Sequence, residues 1–433
     1  MNIKKAIKKF LSYFLVYLGL TLLFSSLMIA TYTLPNARIR GHIAESVGQL
    51  KSEGMGYAPF FQEIGGILDT HTDSLILNIA MNKGTSNEDR ILAKAFENSF
   101  YEDETGAGIS SLEANIQDET FNNHEYSRYW HGNQVIIRPL LMFFNYMEIR
   151  YIFMMIIFIL IGIVFSMIGK QLGNRYNIAF SITMAFMFVI LIPMSIQYSS
   201  IFIVTLISMI MVLLLYKYKK ERNIPILFFI IGAFATFFDL LTYPLVSLGL
   251  PIVLAVLLEN KKNQKTILNQ ILFILKLGIL WVIGYGLLFF TKWIIASVAL
   301  QKDAITLALN EILFRVNGND SNPVDRLDTL KSNFDYFFIP VGRYVLIGIF
   351  MIWGILFTFF RKKIKELKII IPLVCISIVP YIWYIVFAGH SYIHCWFTYR
   401  IQAMTVFSIL CAMFISIDEE KLKRLKIRRG NQK

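Results

Sequence analysis

The chain has 433 residues, a formal net charge of +13, 56% hydrophobic residues and 16% charged residues. A soluble domain is about a quarter charged, so this composition excludes an ordinary soluble protein of two or three domains. Several apolar runs exceed the roughly 18 residues that cover a bilayer core of roughly 30 Å. The sequence therefore predicts an integral membrane protein.

The predicted fold is all-α and polytopic, with about ten transmembrane helices, because backbone groups inside lipid must pair within their own segment. Tight turns are expected at residues 197–200 and 242–244. In chain order, the expected spans are residues 11–33, 149–168, 178–197, 200–216, 224–241, 244–258, 267–291, 341–360, 369–387 and 398–416.

These spans divide the chain into six segments. The largest segment outside the membrane is the first extracytoplasmic loop, which is expected to carry interfacial helices. The segments are a cytoplasmic amino terminus with the first span (1–33), the first loop (34–148), spans two to seven (149–300), a second extracytoplasmic loop (301–340), spans eight to ten (341–416) and a basic cytoplasmic tail (417–433).

Lysines and arginines set the predicted orientation, with both termini in the cytoplasm. The six short segments that would face the cytoplasm hold 25 of the 42 basic residues. Such an excess follows the positive-inside rule, and it explains the net charge by an anionic leaflet, without nucleic acid. Abundant lysine, isoleucine and asparagine indicate an AT-rich bacterial genome and hence the bacterial plasma membrane. The three cysteines lack metal-ligand spacing, so no cofactor is predicted, although a divalent metal stays open.

Two acids in the first loop are candidate catalytic residues. Asp69 and Asp73 are four residues apart, so they share one face if the segment is helical. They precede the apolar stretch 75–81, and a carboxylate beside a buried surface can act as a general base on a hydroxyl. The alternative is helix capping. Glu45, nearer the first span, is a further acidic candidate.

The end of the first loop is unusually basic for the outer side. Arg128, His131 and Arg138 lie there, and the guanidinium fork of arginine suits phosphate. They predict a phosphate or pyrophosphate site. Neighbouring tryptophan and tyrosine are ordinary residues of a membrane interface. The whole stretch Tyr126–Arg150 is expected to form an interfacial helix.

The last outer loop carries a third candidate group. His390 and His394 are four residues apart, and Arg400 follows at the head of the last span. We expect them to bind the phosphate; a zinc site, which needs three or four ligands, and a structural role are the alternatives. Asp239 and Tyr243 lie at the outer end of the fifth span, where they would support the site or hold helix ends together.

This arrangement resembles the GT-C superfamily of membrane glycosyltransferases. Those proteins have many spans and a large first outer loop with an acidic catalytic residue and interfacial helices. The resemblance implies transfer of a sugar from a polyprenyl-phosphate lipid donor to a cell-surface glycan acceptor on the extracytoplasmic side. It also implies that Asp69 or Asp73 is the loop acid. The family's acid commonly follows the first span closely, which keeps Glu45 as an alternative.

The implied mechanism uses the basic residues to hold the leaving phosphate while the acid takes the proton of the acceptor hydroxyl. Two other functions remain open. One is a lipid-linked polysaccharide polymerase or ligase, which would rely on arginine and histidine without an essential acid. The other is a transporter or flippase of lipid-linked sugars, which would need polar groups along a path through the membrane.

Overall fold

The computed structural model describes residues 3–60, 66–82, 90–102, 106, 108–117, 122–319, 322–363 and 367–422. Most of the predicted basic tail, 423–433, lies outside the described residues. Within them the chain is helical apart from two short antiparallel strand pairs.

The described parts of the first span and first loop form six helices and one strand pair, in which Phe100 pairs with His124. The helices are α1 (Ile3–Tyr32), α2 (Asn36–Glu53), α3 (Thr70–Ala80), α4 (Ile91–Glu97), α5 (Ile109–Ile116) and α6 (Gln134–Leu140), and the strands are β1 (Phe100–Glu102) and β2 (Asn122–His124). We call the end of the bundle that carries the described part of residues 34–145 the loop end.

The remainder of the described chain is a helical bundle with one further strand pair. Its first helices are α7 (Tyr146–Gln171), α8 (Asn174–Phe186), α9 (Ile196–Lys217), α10 (Ile224–Phe238), α11 (Leu245–Asn263) and α12 (Ile267–Leu300). They are followed by α13 (Ala304–Asn317), β3 (Gly318–Asn319), β4 (Asn322–Pro323), α14 (Arg326–Phe337), α15 (Pro340–Phe360), α16 (Ile370–Val386), α17 (Ala388–Ile393), α18 (Cys395–Thr398) and α19 (Ala403–Ser416).

Seven helical segments in the described part of the chain are long and apolar enough to cross a membrane, and α16 is a shorter apolar helix. The seven are Ile7–Tyr32, Tyr146–Gln171, Ile196–Lys217, Glu221–Phe238, Ile267–Leu300, Gly342–Phe360 and Cys395–Ser416. The chain therefore has the make-up of an all-α membrane protein with several spans.

The turn expected at residues 197–200 is wrong, because these residues form the first turns of α9. The preceding helix, α8, ends at Phe186, and the chain then turns irregularly through a short 3₁₀ segment at Ile192–Met194. Pro193 cannot donate a backbone hydrogen bond, which disfavours a continuous helix there. The side chain of Ser195 then caps α9 by accepting from the backbone N–H of Tyr198.

The expected interfacial helix over Tyr126–Arg150 is divided into a turn, the short α6 and the beginning of α7. Pro139 lies inside α6 near its end and limits its length. Asn145 and Glu148 then form a reciprocal capping box that starts α7. A new helix axis therefore begins here, where the sequence pattern indicated one continuous element.

The centre of the bundle contains α9, α10, α11 and α19, and α12 lies against α10 along much of its length. Two glycines allow the close approach of α10 and α12. A Cβ on Gly232 would lie 2.1 Å from the carbonyl oxygen of Trp281, and one on Gly284 would lie 2.0 Å from that of Phe229. Small residues at such crossings let helix backbones pack closely in membranes.

Candidate functional site at the loop end

A cavity of about 190 Å³ lies at the loop end between α12 and α13. Its lining is mostly apolar, with charged side chains from the first loop and from α13. The apolar residues include Leu241, Tyr285, Phe289, Trp293, Ile312 and Phe387, and the charged residues are Arg128, Glu311 and Arg315. An apolar cavity with a few converging polar groups is the usual form of a small-molecule site.

Arg315 is held by three side chains from two parts of the chain. Its Nη1 lies 2.8 Å from Nδ1 of His390 and 3.1 Å from Nε2 of His394. Its Nη2 lies 2.8 Å from Oε1 of Glu311, one helical turn earlier in α13. These contacts fix the orientation of the guanidinium group beside the cavity.

The hydrogen bonds assign the proton of His390. Its Nε2 lies 2.7 Å from the carbonyl oxygen of Leu241, and because a carbonyl only accepts, Nε2 carries the proton. Nδ1 then accepts from Arg315. Burial, helped by His394 and Arg315, keeps the pKa of His390 well below its ordinary value, so the ring is neutral. His390 thus positions Arg315 with both ring nitrogens engaged.

His394 acts on Arg315 in the same way. Burial and the positive charge of Arg315 lower the pKa of His394 to about 3, so the ring is neutral and its Nε2 accepts from Arg315. The proton then lies on Nδ1, which is buried and has no hydrogen-bond partner within the described chain. The ring stacks on Phe397 with centroids 5.1 Å apart.

The close approach of α17 to α13 depends on Gly389. A Cβ at this position would lie 2.5 Å from the carbonyl oxygen of Phe314 and 2.8 Å from the backbone nitrogen of Gly318. Only glycine lets the two backbones come this close without displacement. Gly389 thus allows α17 to lie close enough to α13 for His390 to contact Arg315.

Arg128 approaches the cavity from the first loop. Its guanidinium lies 4.2 Å from the ring centre of Tyr126, and its Nη2 is 3.8 Å from Oε1 of Glu311. The Nε atoms of Arg128 and Arg315 are both buried and lack a hydrogen-bond partner among the residues the structure describes. Buried donors are normally satisfied, and an anion in the cavity would supply acceptors.

Asp69 lies close to this group. It caps α3 by accepting from the backbone N–H of Thr72 at 3.1 Å and from its hydroxyl at 2.7 Å. Asp69 also lies beside the side chain of Trp396, whose ring centre is 5.2 Å from that of His394. Burial raises the pKa of Asp69. Asp69 is therefore two side chains away from Arg315.

Asp73 is engaged by the start of α9. Its carboxylate accepts from the hydroxyl of Tyr146, from Ser195 Oγ at 3.0 Å, and from the backbone N–H groups of Ile196 at 3.0 Å and Gln197 at 3.1 Å. Burial raises its pKa to about 6, although these donors act in the opposite direction. Asp73 therefore joins α3 to α7 and α9.

Two of the arginines predicted to bind phosphate lie outside the lining of the cavity. The guanidinium of Arg138 donates to the carbonyl oxygens of Thr31 at 3.0 Å and Leu34 at 3.2 Å and to that of Ala80, so it joins the ends of α1 and α3. Arg400 is fully buried near the rings of Tyr198 and Tyr399, where its Nε and Nη1 each lie 3.3 Å from a backbone carbonyl oxygen.

The remaining candidates line no part of this cavity either. His131 is buried and its pKa is lowered to about 3 by burial, and its Nε2 lies 3.2 Å from the carbonyl oxygen of Tyr126. Burial raises the pKa of Asp239 to about 7, and one of its oxygens accepts from the backbone of Thr242. The hydroxyl of Tyr243 donates to the carbonyl oxygen of Tyr198. Glu45 is exposed on α2.

The structure thus brings Arg128, His390 and His394 together, with Asp69 adjacent. The residue at their centre, Arg315, was missed by sequence reasoning, as was Glu311. The spacing of this pair is typical of an exposed helical ion pair, so it gave no sign of a site. The signal available was its position in the second outer loop, beside large apolar residues of the same helix.

No protein-family model, no curated protein and no solved structure matches this chain. The site must therefore be interpreted from its own chemistry. Among the described residues, no group of three or more histidine, cysteine, aspartate or glutamate side chains is placed to hold a metal ion. The arrangement offers two guanidinium groups to an anion and an apolar lining to whatever is attached to that anion.

Proposed function

We propose that the protein is a membrane glycosyltransferase of GT-C layout. It moves a sugar from a polyprenyl-phosphate donor to a cell-surface glycan, and its loop end faces the extracytoplasmic side. The observation that carries this proposal is the cavity between α12 and α13, in which Arg128 and Arg315 join a mostly apolar lining. A lipid phosphate has the same two parts, an anion and an apolar chain.

The lipid chain of the donor lies along α12 and α13. Tyr285, Phe289 and Trp293 form one wall of the cavity. The same helices expose large apolar side chains, such as Phe290 and Leu313, that face lipid in a membrane protein. A donor lipid can therefore reach the cavity sideways while its chain stays in the bilayer.

The phosphate binds to Arg128 and Arg315. Negative charge grows on the phosphate as the bond to the sugar breaks, and fixed guanidinium groups stabilise that charge. Arg315 is suited to this role because neutral His390 and His394 hold it in place without cancelling its charge. Glu311 orients it from the other side.

Asp69 takes the proton of the acceptor hydroxyl. Burial raises its pKa, which makes its carboxylate a stronger base than an exposed aspartate. Glu311 lines the cavity but is committed to ion pairs with both arginines. Asp73 is committed to the start of α9. Asp69 also caps α3, and we assign the proton to it because it adjoins the group of His394 and Arg315 through Trp396.

The test is the composition of cell-surface glycans in a deletion strain of the source organism. The strain is complemented with wild type, Arg315→Ala or Arg343→Ala; Arg343 is an exposed arginine that pairs with Asp335 away from the cavity. We expect deletion to remove one sugar substituent, wild type and Arg343→Ala to restore it, and Arg315→Ala to fail at equal membrane levels.

Three results contradict this proposal. If deletion changes no sugar, the protein is not a glycosyltransferase of this kind. If Arg315→Ala restores the sugar fully, the proposed phosphate site is wrong. If deletion removes an entire polymer and its lipid-linked precursor accumulates, the protein is a polymerase or ligase.

A further inference from the structure

A second cavity, of about 320 Å³, adjoins the first at the loop end. Most of its lining residues are polar or charged, and they come from the end of the first loop and from α13. The lining residues are Glu125, Ser127, Arg128, Leu307, Asn310 and Glu311. Arg128 and Glu311 line both cavities, so the two spaces meet at the arginine that we assign to the phosphate.

The charges around this second cavity are balanced. Glu125 accepts from Ser127 and from Lys302, whose Nζ lies 3.1 Å from Oε2 of Glu125. Glu311 forms ion pairs with Arg315 and Arg128. Each carboxylate thus already has a cationic partner, which favours an uncharged polar ligand over a cation or a second anion.

The remaining hydrogen-bonding capacity suits hydroxyl groups. A carboxylate oxygen accepts more than one hydrogen bond, so Glu125 and Glu311 can each accept a further hydrogen bond from a hydroxyl group. The amide of Asn310 is exposed at the cavity and offers both a donor and an acceptor. Leu307 adds an apolar surface against which the C–H face of a ring can pack.

We propose that this second cavity binds the sugar of the donor, and that the sugar is a single neutral monosaccharide. This inference rests on the proposed function. The apolar cavity, the shared Arg128 and the polar cavity follow one another in the same order as the lipid chain, phosphate and sugar of the donor. A volume of 320 Å³ is near the lower end of about 300–1,000 Å³ for small-molecule sites, which suits one ring better than an oligosaccharide.

The experiment measures lipid binding to the full chain in nanodiscs by native mass spectrometry. The probes are a polyprenyl phosphate without sugar and the same lipid carrying one glucose, one galactose or one N-acetylglucosamine. The variants are wild type, Asn310→Ala and the control Asn269→Ala. Asn269 is an exposed asparagine at the other end of α12, and neither exposed side chain supports the core.

We expect at least one sugar-bearing lipid to bind wild type about tenfold more tightly than the bare lipid, as a few added hydrogen bonds allow. Asn310→Ala should lower that affinity by about threefold to tenfold and leave the bare lipid unaffected. Asn269→Ala should change neither affinity.

The outcomes separate this inference from the proposed function. If no sugar-bearing lipid is preferred over the bare lipid, or if Asn310→Ala weakens both equally, the sugar site is overturned while lipid-phosphate binding stands. If none of the lipids binds, the proposed function itself fails.

Discussion

Two clusters of buried polar side chains lie at the loop end, and they differ in what their polar atoms contact. Around Asp73, the carboxylate accepts from four donors of α7 and α9, and Arg150 directs its two terminal nitrogens at Glu53 at distances of 2.6 and 2.8 Å. Buried Nε donors without a partner in the described chain occur in both clusters, at Arg150 in the first and at Arg128 and Arg315 in the second. The second cluster differs because two cavities lie alongside it. Neither Asp73 nor Arg150 lines either cavity.

The difference distinguishes buried polar side chains that stabilise the fold from those that form a candidate site. Polar groups whose partners are other parts of the fold hold helices together, because burial makes each unmade hydrogen bond costly. Polar groups that line a cavity are available to a ligand that is not part of the chain. The sharpest tests compare matched substitutions in and around the two clusters.

The largest expected effect separates the two neighbouring aspartates. We expect Asp69→Asn to lower sugar transfer by about a hundredfold to ten-thousandfold, the usual contribution of a general base. Asp73→Asn should leave sugar transfer unchanged in folded protein, because the carboxylate of Asp73 binds the first backbone N–H groups of α9. Transfer of a labelled sugar by equal amounts of protein in nanodiscs measures both. An inactive but folded Asp73→Asn protein, with Asp69→Asn active, would reverse the assignment.

The next effect concerns the ion pair beside Asp73. Glu53→Ala leaves Arg150 buried without its counter-charge, and breaking a buried pair in this way lowers the free energy of unfolding by about 3–5 kcal/mol. Thermal unfolding of the full chain in detergent measures the loss. Glu45→Ala, an exposed position on the same helix, is the matched control and should behave as wild type. Equal stability of the two variants would show that the cluster does not support the fold.

A smaller effect concerns the scaffold that places α12 beside the site. A Cβ on Gly232 would lie 2.1 Å from a backbone carbonyl of α12, so Gly232→Ala should destabilise the chain by about 1–3 kcal/mol. Gly278→Ala on α12 has no heavy atom within 4 Å of the added Cβ and should be neutral or slightly stabilising. The same unfolding assay compares them. If both behave alike, the close crossing of α10 and α12 does not limit stability.

The last effect is a pH dependence. Burial raises the pKa of Asp73 from 3.8 to about 6, so the folded chain binds this proton more tightly than the unfolded chain. The stability that results is fully present below about pH 4 and is lost as the pH rises through about 6. Asp73→Asn should make the unfolding midpoint nearly independent of pH across this range. The exposed Asp328→Asn should keep the wild-type profile, and a wild-type curve already flat between pH 4 and 6 would contradict the prediction.

Much of the scaffold could be read from the sequence. Long apolar runs predicted the helices α1, α7, α12 and α15 near their observed positions, because hydrophobicity along a helix is a local property. The turn expected at residues 197–200 failed for a tertiary reason. The start of α9 is fixed by Ser195 and by Asp73, which comes from a distant part of the chain.

The candidate site was also predictable only in part. Arg128, His390, His394 and Asp69 could be chosen from sequence, since charged and aromatic residues near the outer ends of apolar runs are few. Arg315 could not, because its histidine partners are 75 and 79 positions away. Nor could the state of those histidines be predicted, since their burial and the carbonyl of Leu241 decide which nitrogen holds the proton.

Asp69 and Asp73 show what the sequence alone could not determine. Its pattern of apolar and polar residues determined a membrane protein with a polar loop end and placed both acids just before an apolar stretch, where either helix capping or catalysis was open. Only the packed structure decided that Asp73 meets the first N–H groups of α9 while Asp69 lies beside Trp396. The reason is physical: hydrophobicity belongs to each residue, whereas the satisfaction of a buried charge depends on groups that only the fold brings to it.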